Sequence, residues 1–304
     1  MAQGNAPAPP GQPASGPGGS DYPHAQVVRS NHPGQVPAQS YILYEPGEPT
    51  PQSAPVVVFL QGFGPVIAES YQGWIDHIVK KGSIVIFPAY TASGEIPESS
   101  RDLTENALTA VEAALKELQR GQHVRPERDH FALVGHSCGG VIAANIAALA
   151  ASRKLPTPSA LMPTSAGCNT PPEDYSQIPA SIRMVIMLPE SGVAGNAFSK
   201  YLWDHTPQIP LENKDYLILR SDFHGRPALI ADHNTPVTGH DGSKTNALDY
   251  YGTWKVFEAL TCCAWYGTNC DYALGGGPNQ ITMGSWSDGQ AVATMVETKE
   301  NKNL

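Results

Sequence analysis

The sequence predicts an α/β fold: a three-layer α/β/α sandwich on a mostly parallel sheet of about eight strands. Three observations predict it. Short apolar runs rich in valine and isoleucine, such as "APVVVFL" and "SIVIFP", lack polar alternation and read as strands buried on both faces. Segments of helical periodicity lie between them, and that alternation gives a parallel sheet covered on both sides. A length of 304 residues with 41% hydrophobic content is enough to build the core of one large domain.

The elements follow in order. Strand character begins near residue 40 with "SYILYEP", and "APVVVFL" (54–60) is the first fully buried strand. "YQGWIDHIVKKG" (71–82) is a helix with apolar residues at Trp74, Ile75, Ile78 and Val79, ended by Gly82. "SIVIFP" (83–88) is the next strand. In "SSRDLTENALTAVEAALKELQRG" serines cap a helix, Leu103, Ala107, Leu108, Val111, Leu115 and Leu118 form its apolar stripe, and Gly121 closes it. "HFALVG" is a strand, and a buried alanine-rich helix starts at Cys138. "SALMPT" (159–164), "SIRMVIML" (181–188) and "DYLILRS" (215–221) are further strands, with helices in "AGNAFSKYLW" and "TNALDYYGTWKVFEAL".

The flanks differ in composition. Residues 1–20 are so rich in glycine and proline that disorder is expected, leaving one domain over 21–304 with an irregular extension from about residue 261. The same twenty residues have neither a basic start nor an apolar stretch, so they are not read as a signal peptide. The net charge of −9 and the lack of a Lys/Arg cluster exclude a basic footprint for nucleic acid. No apolar run is long enough to cross a bilayer. "GGG" at 275–277 follows no strand–helix unit and is not a nucleotide loop.

Five cysteines occur, at 138, 168, 262, 263 and 270. Their spacing does not suit paired zinc ligands. Cys263 and Cys270 flank the turn-rich "AWYGTN" and are expected to form a disulfide, with Cys262 as the rival partner. A disulfide implies an exported protein, secreted or periplasmic.

The stretch that carries chemistry is "HFALVGHSCGGVIAANIAALAA" (130–151). Ser137 stands between Gly135 and Gly139 where a buried strand meets a helix, the layout of a nucleophile elbow. Ligands bind at the carboxyl ends of the strands in parallel sheets, and Ser137 falls at that end of its strand.

"GHSCGG", together with "VVVFLQGFGP" as strand and oxyanion loop, resembles the α/β-hydrolase superfamily over roughly residues 40–260. The layout of "GFGPVIAESYQGWIDHIVKKGSIVIFPAY" is similar to chlorophyllase-like and cutinase or polyester-hydrolase-like members. The resemblance implies a serine nucleophile, then an acid, then a histidine in chain order. Ser137 would attack an acyl carbonyl after a histidine takes its proton. The backbone N–H groups of Cys138 and Phe63 would hold the oxyanion. Gln61 stands where relatives often carry histidine.

The histidine is expected after the last core strand, where His224, His233 and His240 lie. His224, just past the strand, is the first choice, and His136 is read as packing or elbow geometry. The acid is expected after the preceding strand, at Glu190, with Ser191 in the slot where relatives carry aspartate. Asp174 is the fallback, ahead of Asp204 and Asp222. Cys138 is not read as a nucleophile.

About 17 residues separate the strand ending near Thr164 from the next, which is loop length, so an uncapped, open cleft is expected. Phe63, Trp74 and Trp203 are candidate substrate-binding residues, with Trp254 as a further aromatic wall, although aromatic residues also dominate cores. The implied activity is cofactor-free and metal-free hydrolysis of a carboxylic ester through an acyl-enzyme. The substrate would be bulky or polymeric, of polyester or cutin type. An amidase or peptidase would use the same groups, and a hydrolase-like binding protein would use none of them.

Overall fold

The computed structural model describes residues 6–63, 68–91, 101–191, 196–238 and 244–299. Its strands are β1 (Gln26–His32), β2 (Tyr41–Gly47), β3 (Ser53–Leu60), β4 (Ile84–Pro88), β5 (Arg125–His136), β6 (Ala160–Thr164), β7 (Arg183–Pro189), β8 (Lys214–Leu219) and β9 (Val296–Thr298). They form one sheet in the order β1-β2-β4-β3-β5-β6-β7-β8-β9. The pairs from β4 through β8 are parallel, whereas β1, β2 and β9 add antiparallel edges. The apolar runs are therefore the parallel centre, as their lack of alternation requires. The edges β1 and β9 escape sequence reading because "QVVRSNH" is mostly polar and "VET" is too short to show a period.

The two faces of the sheet bury separate clusters. On one, Val56, Val58 and Leu60 of β3 pack with Leu103, Leu108 and Val111 of α2 (Arg101–Glu117) and Ile142 and Ile146 of α3 (Cys138–Leu149). On the other, Val57 and Phe59 pack with Trp74 and Ile78 of α1 (Gln72–Lys80) and Phe257 and Leu260 of α5 (Lys255–Tyr266). The period-two alternation of a strand makes this division. All but the last residue of α3 are buried, so this is the central helix and has no polar face. The "AGNAFSKYLW" helix is α4 (Asn196–Asp204), and a turn of π-helix at Asp249–Trp254 leads into α5.

The flanks are built more closely than their composition suggests. Contrary to the expected disorder, residues 6–20 lie on the domain. The Arg226 N–H donates to the Pro7 carbonyl at 2.8 Å, and the Gly18 N–H donates to Glu258 at 2.7 Å. Ala8 exchanges hydrogen bonds with Ser287. Composition counts only the apolar area that a segment can bury itself, whereas these partners are supplied by other parts of the fold.

The C-terminal region carries the short helices α6 (Cys270–Ala273) and α7 (Pro278–Ile281), and then docks Met283, Trp286, Val292 and Met295 into the second cluster. Trp286 is 2% exposed, and its indole N–H donates to Asp222 at 3.1 Å. Trp286→Ala should cost about 3–5 kcal/mol, as expected for a buried aromatic truncation, and chemical denaturation would measure it.

Two disulfides are present. Cys263–Cys270 matches the expected pairing and leaves Cys262 as a free thiol. Cys138–Cys168 is a second bond that spacing alone does not reveal, because 30 residues separate the partners and only the fold brings them together.

Candidate active site

Ser137 is the single residue between β5 and α3. Its φ of 53° and ψ of −122° lie where a side chain is strained. Backbone contacts hold it there. The Ser137 N–H donates to the Thr164 carbonyl at 3.0 Å, and its own carbonyl accepts from Gly140 at 3.0 Å and Gly167 at 3.1 Å. Gly135 and Gly139 are required for close approach. A Cβ on Gly135 would strike the Gly139 carbonyl, and one on Gly139 would strike the carbonyls of Leu60 and Gln61. The strand end, the helix start and the loop after β3 are thus pressed together around the serine.

The ring at Ser137 is His233, whose Nε2 lies 3.1 Å from Oγ. His224, the first choice by its position along the chain, is elsewhere: its Nε2 lies 2.8 Å from Asp288 in the docked C-terminal region. The physical reason is a detour. Asp222 and Leu229 form an antiparallel bridge, so the chain leaves β8, reaches out to the C-terminal segment and returns before presenting a histidine. His233 follows in a turn held by Asp232, which accepts from the Asn234 N–H at 2.9 Å, and by Thr235, which donates to the Asp232 carbonyl at 2.8 Å. "ADHNTP" carries the turn residues that mark such a site. His240 lies outside the described residues.

Burial holds the His233 pKa below its usual value, while nearby Asp232 opposes the shift. Its Nδ1 is buried and has no hydrogen-bond partner among the described residues.

The carboxylates singled out from sequence do not meet that nitrogen. Glu190 accepts from the Ser221 N–H at 2.8 Å and lies 3.5 Å from Arg220, tying the end of β7 to that of β8. Ser191 donates to the Ala231 carbonyl at 2.7 Å. Asp174 is exposed and accepts from Ser176 and Gln177, bonds that hold its pKa low. Asp222 accepts from Trp286 and from the Ala293 N–H, and Asp204 ends α4.

On the oxyanion side, Cys138 opens α3, so its N–H is among those without an intrahelical acceptor. The Cys138–Cys168 disulfide fastens this residue to the loop after β6. Gly62 donates its N–H to the Tyr71 hydroxyl at 2.8 Å, which leaves Phe63 as the next donor along the loop. Phe63 is partly buried against the first cluster.

The sequence matches the chlorophyllase family over residues 18–187, more than half of the chain, including β1–β6, the loop after β3 and Ser137. The chain belongs to the chlorophyllase family. Chlorophyllase-family members are carboxylic-ester hydrolases, and this chain is accordingly a hydrolase of that class. A search of curated proteins found no match. The family match ends at Met187, so the place of His233 beside Ser137 comes from geometry alone.

In this chlorophyllase-family chain three expected aromatic wall residues belong to the core. Trp74 is 2% exposed and meets Phe59 and Phe257 edge-on. Trp203 is buried beneath the Lys214 ammonium, 4.5 Å from its ring centre. Trp254 stacks on His77. No group of three or more potential metal-ligating side chains occurs among the described residues, and no described helix is long and apolar enough to cross a membrane.

Proposed function

We propose that this chlorophyllase-family hydrolase cleaves its ester through an acyl-enzyme on Ser137, with His233 as the general base. The observation that carries this reading is the 3.1 Å approach of His233 Nε2 to Ser137 Oγ on a strained elbow. His233 takes the hydroxyl proton as Oγ attacks the carbonyl carbon. The N–H groups of Cys138 and Phe63 receive the negative charge on the carbonyl oxygen. Collapse of the tetrahedral intermediate breaks the ester C–O bond, and His233 returns the proton to the leaving alcohol. Water, activated by the same ring, then releases the acid.

A bulky or polymeric ester is the proposed substrate. The connection between β6 and β7 contains only a short turn of 3-10 helix at Tyr175–Gln177 and no inserted domain, which supports an uncapped cleft. Two disulfides support export of the protein.

The test is labelling with a fluorophosphonate and mapping of the adduct. Stoichiometric modification of Ser137 is expected, and a folded protein that stays unmodified would overturn the reading. An ester and an anilide of the same acid separate esterase from amidase chemistry, with cleavage of the ester alone expected.

The rate should also report the environment of the base. His233 must be neutral to accept a proton, and burial disfavours its charged form. The acid limb of kcat/KM against pH is therefore expected below the ordinary histidine value of about 6.5, with activity retained into mildly acidic solution. A midpoint at or above that value would contradict the burial argument.

A further inference from the structure

We propose that Tyr71 and His136 are positioning residues that lock the base and the oxyanion loop together around Ser137. The inference rests on the reading of Ser137 and His233 as nucleophile and base.

A histidine base is ordinarily oriented through its second ring nitrogen. In His233 that nitrogen has no partner among the described residues. The residue is instead gripped by its backbone: His136 Nε2 lies 2.7 Å from the His233 carbonyl. A carbonyl only accepts, so Nε2 carries the hydrogen and Nδ1 must be the acceptor. The Tyr71 hydroxyl lies 2.7 Å from that Nδ1 and donates to it. The same hydroxyl oxygen accepts the Gly62 N–H at 2.8 Å.

The result is one directed chain, from the Gly62 N–H through the Tyr71 O–H and the His136 ring to the His233 carbonyl. Every donor and acceptor in it is matched, and bonds in such a chain strengthen one another. Its ends are the two parts of the site that Ser137 does not itself position. One end is the loop residue before Phe63, and the other is the base.

Four further facts support a positioning role. His136 immediately precedes Ser137, so the elbow and the base loop, 97 residues apart, are tied at the nucleophile itself. Tyr71 is fully buried and His136 is 2% exposed, so solvent does not stand in for either. Gly62 is held tightly: a Cβ there would lie 2.9 Å from His136 Nδ1 and 3.1 Å from the Tyr71 hydroxyl. Burial also pushes the His136 pKa down to about 3, which keeps the ring neutral and the direction of the chain fixed.

The test compares four proteins in fluorophosphonate labelling and steady-state ester hydrolysis: wild type, Tyr71→Phe, His136→Gln and His136→Asn. Glutamine places its amide where Nε2 lies and keeps a donor for the His233 carbonyl. Asparagine reaches only the Nδ1 position and keeps only the Tyr71 contact.

A loss of orientation near 1 Å lowers reaction rate by roughly 10²-fold, so His136→Asn is expected to lose about ten- to hundred-fold in kcat. KM should remain within about twofold, since uniform binding is untouched. His136→Gln should recover most of that loss. Tyr71→Phe, which keeps the ring and removes only the hydroxyl, should lose about five- to twenty-fold, again in kcat. Rates are expressed per folded molecule, with near-ultraviolet circular dichroism giving the folded fraction.

Equal rates in all four proteins, or losses that track the folded fraction with no rescue by glutamine, would overturn the inference. A wild-type protein that labels normally while the variants behave so would leave the Ser137–His233 reading standing. Failure of the wild type to label would overturn both.

Discussion

His233→Ala is expected to lower ester hydrolysis by about 10⁴-fold or more, while His224→Ala retains nearly all of it. Both histidines follow β8, and both have a polar partner within hydrogen-bond reach. Only the partner differs. His233 faces Ser137 at 3.1 Å, whereas His224 pairs with the exposed Asp288 at 2.8 Å. An exposed pair of that kind contributes little to stability, so His224→Ala should also fold normally. Side-by-side kinetics of the two variants decide the assignment. A His224 variant as inactive as the His233 variant would require a different base.

The second large effect concerns the disulfide beside Ser137, the proposed nucleophile. Replacing both Cys138 and Cys168 with serine removes a crosslink that closes a loop with a sequence separation of 30. Chain entropy puts the loss at about 3–4 kcal/mol for a loop of that size. The chemistry should suffer beyond the stability loss. Cys138 supplies a proposed oxyanion donor, and the disulfide is its covalent link to the loop after β6. Acylation measured below the unfolding temperature should therefore fall by about 10-fold or more, in the manner of a weakened oxyanion hole. Full activity in the doubly substituted protein would show that hydrogen bonding at Ser137 suffices to hold the turn.

The central fold was legible because its signals are local. "APVVVFL", "SIVIFP" and "SIRMVIML" lie in buried parallel strands, and their continuous apolar character states as much. Ser137 was legible for the same reason: a strand, two close-packed glycines and an apolar helix adjoin one another in sequence. The base was not. Choosing between His224 and His233 needs the path of the chain through the Asp222–Leu229 bridge, and that path depends on Trp286 and Ala293, more than sixty residues onward. The acid role expected of Glu190 fails on similar grounds, since its carboxylate caps a backbone N–H at Ser221 instead. The Cys138–Cys168 bond and the Tyr71–His136 contact join residues 30 and 65 apart, and no periodicity announces them.

The distance in sequence between Ser137 and His233 also bears on the order in which the protein comes together. The pair is 96 residues apart, with β6, β7 and β8 in between. A chain folded through β6 and the loop after it can already hold the elbow but has no ring beside it. Closing so long a segment is slow, because non-local contacts are rewarded only after their entropy has been spent. Newly synthesised or refolding protein should pass through an inert stage that has most of its helix and strand. Recovery of hydrolysis after dilution from denaturant is then expected to lag behind the far-ultraviolet signal, so the enzyme reports the completion of its own sheet.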